Sequence, residues 1–360
     1  MARIAVDARP LSIPTTGIGR YTQAVLDRLL DSEHEWFLYS DRPLKLDYGT
    51  RTNVQVRTGR LKAAKFGSIY AQLQFPRWSR QDQVDLYWSP RHHLPLLISS
   101  AVPQVVTIHD LVWKLYPETM SRFGHWLERV LMPPSIRAAS AVIAVSDATA
   151  TDVAQHFPVA AGRLRTIYEA PFLPIFEGRR PEGNYFLFVG TIEPRKNLFR
   201  LLEAYSRYLR LVAEPLPLKI CGGSGWGLPE LEDKLRVLGI TDHVEVLGYV
   251  EDNQLPSLYR NARALLLPSL YEGFGLPIVE AFSQGTPVMT SSRGAMQEVA
   301  GDAGVLVDPE CVDGMARCLA ELTGNTARVR NLQSLALDRA KQFSWDRAAE
   351  QTLELMNSLL

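Results

Sequence analysis

Short apolar runs alternate with longer stretches of helical periodicity along the whole chain, and this alternation restricts the fold more than any other feature. A continuous apolar run bounded by turn residues suits a strand buried on both faces, and a helical stretch between runs supplies the crossover of a parallel sheet. In the first half the strand candidates are 3–7, 35–39, 53–57, 85–88, 104–108 and 141–145, with helices clearest at 18–30 and 122–139. In the second half strands at 185–190, 217–221, 244–247, 264–267, 286–290 and 304–307 interleave with helices at 197–212, 229–238, 255–261, 275–284 and 312–323. The pattern predicts an α/β chain of two Rossmann-like, doubly wound parallel-sheet domains in series. Residues 171–183 hold Pro171, Pro174, Pro181, Gly178 and Gly183 with few periodic apolar positions, so they are expected to link a first domain, 1–170, to a second, 184–343. Two such domains are expected to leave a cleft lined by the carboxyl ends of both sheets, where ligands of open α/β sheets bind. Chemistry is therefore sought at strand-to-helix junctions.

Lys plus Arg and Asp plus Glu number 39 each, which speaks against a nucleic-acid coat. The balance hides a split: residues 1–180 carry 22 basic and 16 acidic side chains, and residues 181–360 carry 17 and 23. Different partners for the two halves are expected. Cys221, Cys311 and Cys318 form no CxxC, which fits free buried thiols in a reducing compartment. The start, ARIAVDARP, enters a strand pattern rather than a signal peptide, and no apolar run approaches membrane-spanning length. A cytoplasmic protein is expected, with any membrane contact peripheral.

The strongest local signal is SLYEGFGLPIVEAFSQG, residues 269–285, after the apolar run ALLLP. Gly273 and Gly275 flank Phe274 before a helix that opens near Leu276 and Pro277, and a helix start presents backbone N–H groups to an anion. Glu272 and Glu280 stand eight positions apart. A carboxylate there can accept two hydroxyl hydrogen bonds from a sugar diol; otherwise Glu272 caps the helix and Glu280 is merely solvated. A second signal is VGTIEPRKN, 189–197, where Arg195 and Lys196 lie at a helix start against the dipole preference. Their placement suggests an awaited anion, and an Arg fork with a Lys point charge suits a diphosphate; otherwise they are two exposed charges in a loop.

Three weaker signals complete the set. TTGIGRY, 15–21, resembles a dinucleotide loop, but Thr22 stands where G-x-G-x-x-G needs its last glycine, so Gly17 and Gly19 are read only as a flexible loop entering a helix. VVTIHDLVW places His109 at the carboxyl end of a buried strand, as a catalytic group or a satisfied structural histidine. LKICGGSGWGL brings Gly222, Gly223, Gly225 and Gly227 to a strand end, for close ligand approach or a tight turn, and Tyr249 follows another strand as a candidate nucleobase platform or core residue. His92 and His93 are adjacent rather than at ligand spacing and there is no Asp-x-Asp pair, so no metal is expected.

Together these residues resemble the retaining, GT-B-fold, group-one glycosyltransferases, which include glycogen synthase-like and mannosyltransferase enzymes. The resemblance covers nearly the whole chain and is carried most specifically by EGFGLP, joined to Arg195 and Lys196 about eighty residues upstream. It implies that Glu280 binds the ribose of a nucleotide-sugar, that Glu272 holds donor-sugar hydroxyls, and that the N–H groups of Phe274, Gly275 and Leu276 face the sugar and diphosphate. Arg195 and Lys196 would clamp the diphosphate, with Gly190, Gly222 and Tyr249 completing the donor site. Gly17 and Gly19 would meet the phosphate from the first domain, and His109 would sit beside the anomeric carbon. The final helix, within 344–360, would cross back to the first domain.

The implied activity is metal-independent transfer of a hexose, mannose or rhamnose from a GDP-linked donor, to a lipid-linked or polysaccharide acceptor, as in lipopolysaccharide O-chain synthesis. No cofactor beyond the substrate nucleotide-sugar and no nucleic-acid partner is implied. The basic residues Arg57, Arg60, Lys62 and Lys65, with Ile69, Leu73, Phe75 and Trp78, suit an anionic acceptor at the inner face of a cell membrane, or a solvated helix face. Two other classes compete: a nucleotide-sugar epimerase of the same fold and a non-catalytic nucleotide-sugar-binding protein.

Overall fold

The computed structural model describes residues 1–13, 16–61, 66–178, 180–223 and 228–360. The chain divides into two compact units, Met1–Glu169 with Ser344–Leu360, and Ala170–Phe343.

The first unit holds seven strands: β1 (Arg3–Asp7), β2 (Glu35–Ser40), β3 (Val54–Thr58), β4 (Leu86–Ser89), β5 (Gln104–Ile108), β6 (Ala141–Ala144) and β7 (Leu164–Thr166). They form one parallel sheet in the order β3-β2-β1-β4-β5-β6-β7. Central strands are buried on both faces, as their unbroken apolar runs require: Ile4, Ala5 and Val6 of β1 and Leu86, Tyr87 and Trp88 of β4 are fully covered. The last helix, Trp345–Asn357, belongs to this unit. Its Trp345 ring meets Tyr21 edge-on at 6.0 Å, Asp346 pairs with Arg28, and Asn357 bonds His34 at 2.9 Å.

The second unit holds β8 (Phe186–Val189), β9 (Leu218–Cys221), β10 (Val244–Gly248), β11 (Ala264–Leu267), β12 (Val288–Ser291) and β13 (Gly304–Val307), parallel throughout in the order β10-β9-β8-β11-β12-β13. Its core gathers Phe186, Phe188, Ile220 and Leu266 against the helix Leu198–Tyr208. That helix buries Leu201, Leu202, Tyr205 and Tyr208 on one stripe, and each large side chain so covered contributes roughly 2 kcal/mol.

The segment 171–183 is not an independent connector. The Phe176 N–H donates to Ser283 O at 2.7 Å and the Gln284 amide donates to Pro174 O at 2.7 Å, so the segment is bound onto the second unit. The division falls between Glu169 and Ala170. Among the cysteines, Cys221 and Cys318 are buried and Cys311 is exposed; the Cys311 sulfur caps a helix by accepting from the Gly314 N–H, so burial does not extend to all three. No helix among the described residues is long and apolar enough to cross a membrane.

Candidate functional site

In the second sheet the winding reverses between β8 and β11, and ligands of such sheets bind beyond the strand ends at that point. The two strongest sequence motifs leave from these strands. After β8 the chain makes a tight turn, Pro194–Lys196, and Asn197 then adopts a left-handed conformation, φ 59°, which Asn tolerates better than most residues. The Asn197 amide donates to Pro268 O at 3.0 Å and Pro309 O at 2.7 Å, and the Leu270 N–H donates to Arg195 O at 2.8 Å. These bonds stitch the two loops together before any side-chain chemistry is counted.

Glu272 is the hub. Its Oε1 accepts from Lys196 Nζ and its Oε2 from Arg195 Nη1, each at 2.6 Å. Arg195 also donates to Tyr271 O at 2.8 Å and to Glu193 Oε1 at 2.5 Å. Lys196 and Glu272 are both buried. Burial pushes the Glu272 carboxyl up, but the charges of Arg195 and Lys196 outweigh it and hold the group down to about 2. The cations set against the helix dipole thus have an anion beside them, and it is supplied by the chain. Glu272 is no helix cap: the following helix, Leu276–Ser283, has Gly275 at its N-cap, with φ 104° and no side-chain cap bond.

Phe274 is buried and meets Phe343 edge-on at 5.6 Å, which fixes the loop that enters this helix. Glu280 is not solvated. It is buried, and Tyr259 Oη donates to its Oε2 at 2.9 Å. Gly190, at φ 151°, packs against the Lys196 stem: a Cβ there would lie 3.5 Å from Cε. At Gly222 a Cβ would lie 1.9 Å from Gly190 O, so only glycine fits between these two strand ends. Gly225 and Gly227 lie outside the described residues, as do Thr15, Lys62 and Lys65. Tyr249 is 74% exposed, so it is not a core residue.

The remaining candidates lie in the first unit. Gly17 and Gly19 are not a flexible loop. They form the first turn of the helix Gly17–Leu29, because Thr16 caps it by accepting the Gly19 N–H at 3.1 Å. Tyr21 of that helix packs edge-on against the His109 ring at 4.8 Å. His109 follows β5 and is nearly covered. Its Nε2 lies 2.9 Å from Pro90 O and its Nδ1 3.0 Å from Glu169 Oε1. A carbonyl only accepts, so Nε2 donates to Pro90 O, and the Nδ1–Glu169 contact holds the other side of the ring. The backbone N–H of His109 donates to His92 Nε2 at 3.1 Å, and His92 Nδ1 and His93 Nε2 both meet Glu128 Oε2, at 3.3 and 3.0 Å. Among the described residues no three His, Cys, Asp or Glu side chains converge as a metal set.

Sequence reasoning missed Glu193, Asn197, Tyr259 and Glu169. Glu193 and Asn197 stand inside the quoted VGTIEPRKN run, so an ion-pair partner and a left-handed Asn were legible there. Tyr259 and Glu169 become partners of Glu280 and His109 only through tertiary structure.

Two family models match. Residues 172–336 match "Glycosyl transferases group 1" and residues 15–170 match "Glycosyltransferase Family 4". O-antigen chain mannosyltransferase B of Escherichia coli is 30% identical over 384 aligned residues, covering 98% of each chain. Among solved structures, HepE of Anabaena in complex with UDP and glucose superposes with TM-score 0.76 at 21% identity, covering 99% of this chain and all of that one. Sucrose-phosphate synthase of Thermosynechococcus elongatus does so with TM-score 0.79 at 19% identity, covering 100% and 99%. These likenesses show the GT-B fold.

Proposed function

The chain belongs to the group 1 glycosyltransferases, and from that premise we propose that it transfers a hexose, mannose before rhamnose, from a GDP-linked donor to a lipid-linked or polysaccharide acceptor of O-chain synthesis. Full-length similarity to an O-antigen mannosyltransferase supports the sugar and the acceptor class. One observation carries the site reading: Arg195, Lys196 and Glu272 form a buried ion cluster at the winding reversal of the second sheet.

In this reading the second unit holds the donor. As the sugar–phosphate C–O bond breaks, its electrons pass to the leaving diphosphate and the ring carbon gains positive charge. Arg195 and Lys196 stabilise the departing oxygens without a metal, in a buried setting where such charges act strongly. Each Glu272 oxygen accepts one bond from a cation and keeps a lone pair for a sugar hydroxyl, and Glu280 receives the ribose. A carboxylate neutralised by two cations is a poor nucleophile. This favours attack by the acceptor hydroxyl on the same face, its proton passing to the leaving phosphate oxygen, with retention. Gly17 and Gly19 serve the phosphate and the acceptor, His109 serves the anomeric carbon, and Tyr249 offers an open aromatic face to a base.

Membrane contact would be peripheral, through the helices Gly67–Gln81 and Arg122–Ala138, whose Ile69, Leu73, Phe123 and Trp126 are all more than half exposed. Phe75 does not take part, being fully buried, and Arg57 is paired with Asp82.

A thermal-shift panel of GDP, UDP and ADP tests the donor site, since a ligand that binds only the native state raises Tm. GDP is expected to give the largest shift. No shift with any nucleotide would overturn the donor-site assignment, and a product of inverted anomeric configuration would overturn retention.

A further inference from the structure

We propose that the first unit carries an anion-binding subsite at Arg91, which takes a phosphate or carboxylate group of the acceptor. The proposal rests on the assignment of this unit to the acceptor.

The first sheet reverses its winding between β1 and β4. Arg9 stands two residues beyond β1 and Arg91 two residues beyond β4, so two guanidinium groups leave neighbouring strands where open α/β sheets bind ligands. Arg9 is occupied. It makes a two-pronged pair with Asp7, donates to Gly67 O at 2.7 Å and lies over the Phe75 ring.

Arg91 is partly buried, and the charges that act on it are those of Arg9, Asp7, Glu128 and Asp41. Every carboxylate in that group is already engaged: Asp7 by Arg9, Asp41 by Arg42 at 3.1 and 2.8 Å, and Glu128 by His92 and His93. Among the described residues the Arg91 guanidinium donates no hydrogen bond and joins no ion pair, and it is the surplus cation of the sheet edge. A second group is also unsatisfied. The Tyr87 hydroxyl, which feels Asp7, Arg9 and Arg91, is fully buried without a hydrogen-bond partner. Unmatched polar groups away from water are costly, and an oxyanion bound at Arg91 would supply the acceptor that its guanidinium lacks.

The loop is held rigid. Ser89 Oγ lies 2.9 and 2.8 Å from the carbonyl oxygens of Arg91 and His93, and Pro90 O accepts from His109 Nε2. Arg91 would therefore anchor the acceptor one residue from the carbonyl that orients His109.

The test uses the full chain with its nucleotide site saturated by the nucleoside diphosphate that raises Tm most. Methyl phosphate and glucuronate are then titrated. Saturable binding is expected for at least one, weakened about tenfold or more by Arg91→Gln and partly restored in Arg91→Lys, with nucleotide affinity unchanged. Tighter methyl phosphate identifies a phosphate-bearing acceptor and tighter glucuronate a uronate-bearing one. Without anion, Arg91→Met is expected to keep or raise Tm, whereas a structural arginine would lower it. Anion binding unchanged in Arg91→Gln, no saturable binding in the wild type, or a lower Tm for Arg91→Met would each overturn the proposal. If no nucleotide shifts Tm while Arg91-dependent anion binding persists, the donor reading falls and the subsite stands.

Discussion

Lys196 Nζ and Glu272 Oε1 stand 2.6 Å apart although 76 positions separate them in the chain. The contact joins loops from neighbouring strands; losing Glu272 strips the buried Lys196 of its counter-charge, and losing Lys196 leaves the buried Glu272 with Arg195 alone. Lys196→Ala and Glu272→Ala are each expected to lower kcat/KM by about 10²–10³-fold, the scale of one lost oxyanion-stabilising donor. The double variant should lose much less than the product of the two. A double-mutant cycle on the transfer rate measures the coupling, expected at about 1–3 kcal/mol, and strictly additive losses would show that the pair does not act as a unit.

The same carboxylate sets an acid limit on stability. Its folded pKa, about 2, lies below the ordinary ~4.3 of an unfolded Glu. A depressed carboxyl contributes stability that is fully present above the unfolded value and is lost as pH falls through the folded one. The stability gap between wild type and Glu272→Gln should therefore narrow by about 3 kcal/mol from roughly pH 5 to pH 2, read by denaturant titration at each pH. A gap independent of pH would contradict the ion cluster.

Two adjacent glycines provide an internal control. A Cβ at Gly222 would collide with Gly190 O at 1.9 Å, and one at Gly223 would meet nothing within 4 Å. Gly222→Ala is expected to destabilise by about 2–4 kcal/mol and Gly223→Ala by less than about 0.5 kcal/mol, by calorimetry.

Glu169→Gln replaces the carboxylate that meets His109 Nδ1 at 3.0 Å with an amide. The ring should lose its fixed proton arrangement while the donor site in the other unit is untouched. Steady-state kinetics are expected to show kcat falling about 10²-fold with the donor KM unchanged. A change confined to donor KM would place His109 in another role.

The exposed aromatics on Arg122–Ala138 make membrane contact testable. Phe123→Ser with Trp126→Ser should abolish co-sedimentation with anionic phospholipid vesicles and leave the nucleotide-induced Tm shift intact. Equal sedimentation would remove these residues from any such surface.

The buried strands were the most legible part of the sequence, because a run such as ALLLP leaves no alternative face. The three-residue β7, at the sheet edge, carries no such run. The helices Gly67–Gln81 and Arg122–Ala138 both contain internal prolines, yet only the second was read clearly, since Gly67–Gln81 mixes a core face with exposed Ile69 and Leu73. The helices Asp147–His156, Gly294–Ala300 and Thr326–Ala340 were missed as well, being polar or short. At the site, residue types were legible and partnerships were not. In the sequence Arg195 and Lys196 point to an external anion, because nothing in spacing reveals a carboxylate 76 positions away. Gly17 and Gly19 look like loop in the sequence, because the Thr16 cap can be assigned only once the chain direction before it is known.

The helix Trp345–Asn357 belongs with a unit whose other residues end at Glu169. Tyr21 meets Trp345 and His34 meets Asn357 across more than 300 positions of sequence, with the whole second unit encoded between the partners. The first unit is thus assembled from two separate stretches of sequence, 1–169 and 344–360, so a change within 344–360 acts on the unit that holds β1 to β7 and not on the one it directly follows.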